Sequence, residues 1–222
     1  MLYLILFLLE IFLLYLLSRK FTRRLTLFFY RITGSRRKTY ILYATFFLPG
    51  TFFHEMAHFL TALLLLVPVG NINLLPEISE DKVRLGSVPI GKTDPLRRTI
   101  VGSAPFVFGL GIILITISLM INKNLYSNWP YLLLTIFIVF QVANNMFLSK
   151  SDLKGTFILL LIVLLITFIF YLLGFRLSWS QVNSIFSGKL LETLKTSIFF
   201  LAFPIIIDFA GIKIISIFSK RK

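Results

Sequence analysis

Long apolar runs, separated by short basic or polar stretches, dominate the pattern of this chain. Six of them approach or exceed the length of about 20 residues that a helix needs to cross a bilayer. They cover approximately residues 2–17, 39–67, 98–121, 131–148, 156–175 and 197–218. The pattern predicts an all-α, multi-pass integral membrane protein with about six transmembrane helices.

Two interruptions modify this picture. Pro49 and Gly50 lie inside the second run and predict a kinked or loosened helix there. Residues 71–75 and 83–88 resemble two short strands around an acidic turn at residues 77–81. The sequence therefore predicts a short interfacial β-hairpin between the second and third membrane helices.

Composition limits the domain organisation and the partners. The chain is 57% hydrophobic and leaves no long polar stretch, so residues 1–222 are expected to form a single integral-membrane domain. The net charge of +14 comes largely from basic residues beside apolar runs, where they meet anionic lipid headgroups. We therefore expect a lipid bilayer as partner and no nucleic acid. Residues 19–38 carry eight basic and no acidic residues, and this charge predicts a cytoplasmic loop. Residues 25–30 within it are apolar and predict a segment that lies in the membrane interface.

The chemistry concentrates in one pentapeptide of the second run. His54 and His58 are the two histidines of the chain, and Glu55 stands beside the first of them. On a helix, a His-Glu-x-x-His pattern places both imidazoles on one face, within reach of a single Zn²⁺, with the glutamate next to them as a general base. Charged groups are costly in a membrane segment, so their presence there usually indicates a function. The motif predicts one zinc ion per chain and a catalytic Glu55.

A third ligand must be a carboxylate, because two histidines leave a catalytic zinc one protein ligand short and the chain has no cysteine. Asp152 is favoured, since the second and fourth runs reach the same membrane face near Asn144, Asn145, Ser149 and Ser151. The alternative for Asp152 is an interfacial acid paired with a neighbouring lysine. Asp208, in the middle of the last run, is a weaker candidate for a ligand or for a group bonded to one. Glu10 and Glu192 are less favoured still.

These residues resemble the site-2 protease family of intramembrane zinc metalloproteases. That family pairs the His-Glu-x-x-His helix with a later Asn-x-x-Pro-x-x-x-x-Asp-Gly motif, and Asn144 precedes Asp152 by the same spacing. The resemblance implies zinc ligands His54, His58 and Asp152, the base Glu55, and a substrate-binding Asn144. Phe147 and Leu153 replace the motif proline and glycine, which suggests a divergent, minimal member. The implied metalloprotease core covers about residues 39–155, followed by C-terminal helices at about 156–222.

The function predicted from these observations is zinc-dependent hydrolysis of peptide bonds in or near transmembrane segments of membrane-protein substrates. An unwound substrate needs partners for its backbone groups, and the predicted hairpin either supplies them by accepting the substrate as an extra strand or is a simple interfacial connector. Two alternatives use the same ligands without hydrolysis. One is a metal-binding membrane protein or transporter, and the other is an inactive relative that binds membrane clients.

Overall fold

Seven helices build the part of the chain that the computed structural model describes, residues 2–78, 83–147, 150–174 and 188–220. The helices are α1 (Leu2–Thr33), α2 (Arg36–Phe46), α3 (Leu48–Leu64), α4 (Pro95–Asn122), α5 (Trp129–Asn145), α6 (Lys150–Leu172) and α7 (Gly188–Lys220). Two-residue strands β1 (Glu77–Ile78) and β2 (Val83–Arg84) lie between α3 and α4, and a 3-10 turn at Leu125–Ser127 precedes α5. The all-α architecture predicted from the apolar runs is confirmed.

The predicted number of membrane crossings is wrong. In the described part of the chain, four helices are long and apolar enough to cross a membrane: α1, α4, and the segments Lys154–Leu172 of α6 and Leu190–Ile217 of α7. These helices make the chain a multi-pass membrane protein in character. The fourth predicted run forms only the 17-residue helix α5, which is apolar but shorter.

The second predicted crossing is divided because the backbone breaks at Phe47, between α2 and α3. Pro49 lies in the first turn of α3, where a proline has no helical hydrogen bond to lose. It therefore helps to begin a helix and does not kink one. The Gln141 side chain of α5 donates a 3.0 Å hydrogen bond to the Phe46 carbonyl, which satisfies a polar group at the broken end of α2.

The first helix is longer than predicted. Residues 2–33 contain neither glycine nor proline, so nothing ends the helix where its basic half begins, and α1 continues to Thr33. Gly34 ends it with a φ of 60°, a conformation that glycine adopts without strain. The predicted separate interfacial segment at residues 25–30 is therefore part of α1.

The connection between α3 and α4 contains only brief antiparallel pairing. β1 pairs with β2, and isolated bridges join Asn73 to Ser87 and Val69 to Ile90. The Asn73 side chain accepts the Leu75 backbone N–H at 3.0 Å, and this local turn competes with a regular strand. The predicted hairpin of strands 71–75 and 83–88 is thus wrong as a pair of regular strands. Residues 79–81 of its predicted acidic turn lie outside the described residues.

Helix packing sets α3 against two neighbouring helices. It contacts α4 and α5, while α1 packs along α7 and α6 packs mainly on α4. The main apolar core joins α1, α4, α5 and α7 through buried residues such as Leu14, Ile113, Val139 and Leu201. Residues 175–187, which begin at the end of the fifth predicted run, lie outside the described residues. Glu192, which precedes the sixth predicted run, lies in α7.

Candidate metal centre

The predicted motif lies on the inner face of α3. His54, Glu55 and His58 are all buried, with exposed fractions of 5%, 7% and 8%. The two histidines lie above one another because they are four residues apart, and Glu55, three residues before His58, borders the same side of the helix. The two imidazole rings are 4.9 Å apart between centroids and nearly perpendicular. The helix therefore presents both rings to the same point.

Backbone carbonyls fix the orientation of both rings. His54 Nδ1 lies 2.8 Å from the Asn145 carbonyl oxygen, and His58 Nδ1 lies 2.9 Å from the Val101 carbonyl oxygen. A carbonyl oxygen only accepts, so each Nδ1 carries the hydrogen and donates it. Each Nε2 is thereby left to bind a cation, which is how metal-binding histidines are usually oriented. The two carbonyls belong to α5 and α4, so both neighbouring helices position the motif.

Asp152, in the first turn of α6, completes the group. Its Oδ2 lies 3.3 Å from His54 Nε2, and its Oδ1 lies 3.4 Å from His58 Nε2. Two ligands at about 2.0–2.1 Å from a tetrahedral zinc are themselves about 3.3–3.4 Å apart. The distances from the carboxylate oxygens to the two Nε2 atoms therefore match the distances between ligand atoms of one tetrahedral zinc ion. The potential ligand atoms of these three residues all lie within 4.8 Å of one another.

The donor set itself fits a metal ion. With Nδ1 donating to a carbonyl, a neutral imidazole directs the lone pair of Nε2 toward a carboxylate oxygen, and both histidines do this to the same buried carboxylate. A divalent cation bound by both Nε2 atoms and by the carboxylate would satisfy all three acceptors at once. Two imidazoles with one carboxylate form a set that catalytic zinc takes in proteins.

Glu55 lies beside this group, under the chain that connects α3 to α4. A Cβ atom on Gly86 would lie 3.0 Å from both Cγ and Oε1 of Glu55, and 2.9 Å from a methyl of Thr51. The absence of a side chain at Gly86 therefore lets this backbone lie directly on the glutamate. Gly86 was not among the residues predicted to belong to the site. The one sign of its role in the sequence is a glycine within an otherwise strand-like segment.

A second glycine brings α5 against α3. A Cβ atom on Gly50 would overlap the Asn145 amide and the Gln141 carbonyl. Gly50 therefore permits the approach that places the Asn145 carbonyl next to His54. The Asn145 side chain itself donates a 2.7 Å hydrogen bond to the Gln141 carbonyl. The prediction assigned Gly50 to a helix kink, whereas its role is to allow this contact.

Asn144 and Asp208 lie together, apart from the metal-binding group. The Asp208 carboxyl on α7 is fully buried and faces the Asn144 side chain on α5. Asn144 also donates a 3.2 Å hydrogen bond to the Phe140 carbonyl. Among the described residues, neither Asn144 nor Asp208 lines the cleft at His54 and His58. The structure thus brings together His54, Glu55, His58 and Asp152, and places the other two predicted residues elsewhere.

A cleft of about 960 Å³ opens over the motif. On one side, its described lining includes His54, Glu55, His58 and Asp152. The lining also includes residues 86–88 and 90–93 of the connecting chain and residues near the N-terminal ends of α4 and α6. This volume is within the range of about 300–1,000 Å³ that ligand-binding clefts have. The candidate metal-binding residues therefore open into a cleft that is large enough for a ligand.

Comparison with family models, curated proteins and solved structures finds no match to this chain.

Proposed function

We propose that this protein is a zinc-dependent intramembrane endopeptidase, similar to the site-2 protease family, that hydrolyses peptide bonds in or near transmembrane segments. The observation that carries the proposal is the position of Asp152 between His54 Nε2 and His58 Nε2, at 3.3 and 3.4 Å, beside the buried Glu55. Two further properties support it: the group opens into a cleft, and the chain has helices long enough to cross a membrane.

The proposed reaction adds water across one peptide bond and yields a carboxylate and an amine. His54, His58 and Asp152 would hold the zinc ion, which would supply Lewis-acid chemistry by making water more acidic and polarising a carbonyl. Glu55 accepts a proton from the attacking water and passes it to the nitrogen of the breaking bond. Its burial beneath the Gly86 backbone limits its motion and its exposure to bulk water.

The chain above Glu55 provides a place for an extended substrate. Ser87 forms both of its backbone hydrogen bonds with Asn73. Successive residues of a strand direct their backbone groups to opposite sides. In the described part of the chain, the backbone groups of Gly86 and Val88 have no backbone partner. They line the same cleft as Glu55, so a locally unwound substrate can pair there as an added strand.

The test is cleavage of a transmembrane peptide by purified protein in liposomes, with zinc content measured in parallel. Glu55→Gln keeps the size of the side chain but cannot accept a proton, so we expect unchanged zinc and a loss of activity of at least about a hundredfold. Glu192→Gln is the matched control, because Glu192 is exposed on α7. Zinc bound in the absence of any cleavage, with wild-type protein and several substrates, would favour a non-hydrolytic metal protein instead.

A further inference from the structure

We propose that the cleft selects substrates that carry acidic side chains next to the scissile bond. This inference rests on the proposed function and names the substrate class of the same site. It is carried by three cations, Lys92, Arg98 and Lys154, which line the cleft together with Glu55. Apart from Glu55 and Asp152, every charged residue in the described lining is basic.

These three cations are available to a ligand. All are exposed, and none has a carboxylate within 4.0 Å among the residues that the structure describes. Arg97 provides the contrast within the same helical turn. Its guanidinium lies 3.2 Å from the Asp94 carboxylate, and it is not part of the cleft lining. One arginine of this pair is thus neutralised within the chain, and its neighbour faces the cleft.

Backbone contacts fix the segments that carry Lys92, Arg98 and Lys154, and these three residues are called the rim of the cleft. The Gly91 N–H donates a 2.8 Å hydrogen bond to the Pro68 carbonyl, which ties the chain carrying Lys92 to the end of α3. A Cβ atom on Gly155 would lie 3.0 Å from the Thr99 carbonyl oxygen, so α6 and α4 approach closely there. That approach places Lys154 of α6 beside the turn that carries Arg98.

The charge balance of the loaded site favours an anion at this rim. Glu55 and Asp152 together carry a formal charge of about −2, which offsets the charge of a bound divalent cation. Among the described residues, the three basic side chains then remain without a carboxylate partner. Anionic lipid headgroups share this chemistry, but they would occupy the space that the substrate needs to reach Glu55. We therefore assign the rim to the substrate.

The test measures binding, which does not depend on turnover. The probe is a synthetic transmembrane peptide with two aspartates beyond one end of its apolar segment, compared with the same peptide carrying two asparagines. Both are titrated into zinc-loaded Glu55→Gln protein in bilayers of neutral lipid. We expect about fivefold tighter binding of the acidic peptide, declining with salt, because each exposed ion pair contributes modestly and is screened.

Two further variants locate the effect. Arg98→Gln in the same background should reduce the preference to about twofold or less, and Arg97→Gln, which removes the same charge one residue away, should preserve it. Equal binding of the two peptides would overturn the inference, as would an equal loss in both arginine variants. A preference that disappears when anionic lipid is added, with Arg98→Gln lowering lipid binding instead, would assign the rim to headgroups. Preferential binding without cleavage by wild-type protein would refute the proposed function and leave the acidic selectivity intact.

Discussion

His54 and Asp152 come from different helices, α3 and α6, yet His54 Nε2 lies 3.3 Å from Asp152 Oδ2. His58 repeats the relationship with the other oxygen at 3.4 Å. Because Asn145 and Val101 carbonyls engage the opposite nitrogens, the open side of each ring faces the carboxylate. A metal ion bound by the three residues would form three coordinate bonds, and it would join α6 to α3.

Removal of a ligand should therefore remove the metal. We expect His54→Ala, His58→Ala and Asp152→Ala each to lose most of the zinc, because two remaining donors bind it weakly. Zinc per chain, measured by elemental mass spectrometry after purification, checks this prediction. Normal zinc content in either single histidine variant would refute the proposed site.

Asp208→Asn is the matched control for Asp152→Ala. Asp208 is buried against Asn144 and lies outside the group of His54, His58 and Asp152, and asparagine has nearly the size of aspartate and keeps a polar contact with another amide. We expect this variant to retain zinc and at least part of its activity. If Asp208→Asn loses the metal and Asp152→Ala keeps it, the site is built from α3 and α7.

Gly86→Ala should impair the reaction without removing the metal. The new methyl group would lie 3.0 Å from Cγ and Oε1 of Glu55, so the glutamate or the overlying backbone must move. A shift of about 1 Å in a catalytic group lowers rates by up to about a hundredfold. Cleavage rate and zinc content, measured on the same preparation, separate this effect from unfolding. Gly111→Ala is the control, because nothing lies within 4 Å of the added atom.

Gly50→Ala should act through packing. The added methyl group overlaps the Asn145 amide and the Gln141 carbonyl, so α5 must move away from α3. Overpacking of this kind costs about 1–3 kcal/mol of stability. Moving the Asn145 carbonyl also removes the support of His54, so we expect weaker zinc binding together with a lower unfolding temperature. Stability equal to that of Gly111→Ala would show that the two helices do not approach as described.

The residue pattern was sufficient to predict the helical membrane character and the residues that gather at the metal centre. The helical spacing of His54 and His58 and the polar context of Asp152 are properties of the sequence itself. The residue pattern was not sufficient to predict the roles of Gly50 and Gly86, because close approach between backbones depends on which helices and loops become neighbours. The count of crossings failed for a related reason: Pro49 and Gly50 mark an interruption of the run at residues 39–67, but they do not show whether the helix kinks or ends, and the structure ends α2 at Phe46 and begins α3 at Leu48.

Asn144 illustrates a different limit. Its spacing from Asp152 agrees with the family motif, but its side chain faces Asp208 on α7. Its neighbour Asn145 contributes to the site through a backbone carbonyl, which every residue type provides. Side-chain identity therefore could not distinguish the two asparagines.

The central claim is that one zinc ion held by His54, His58 and Asp152 allows Glu55 to drive peptide hydrolysis. The most direct measurement is mass spectrometry of a transmembrane substrate incubated with chelator-treated and zinc-restored protein in water enriched in heavy oxygen. We predict no cleavage after chelation, and recovery with about one zinc per chain. The new carboxyl terminus should carry one heavy oxygen atom. Undiminished cleavage by the metal-free protein, or zinc-restored protein that leaves every tested transmembrane substrate intact, would contradict the account.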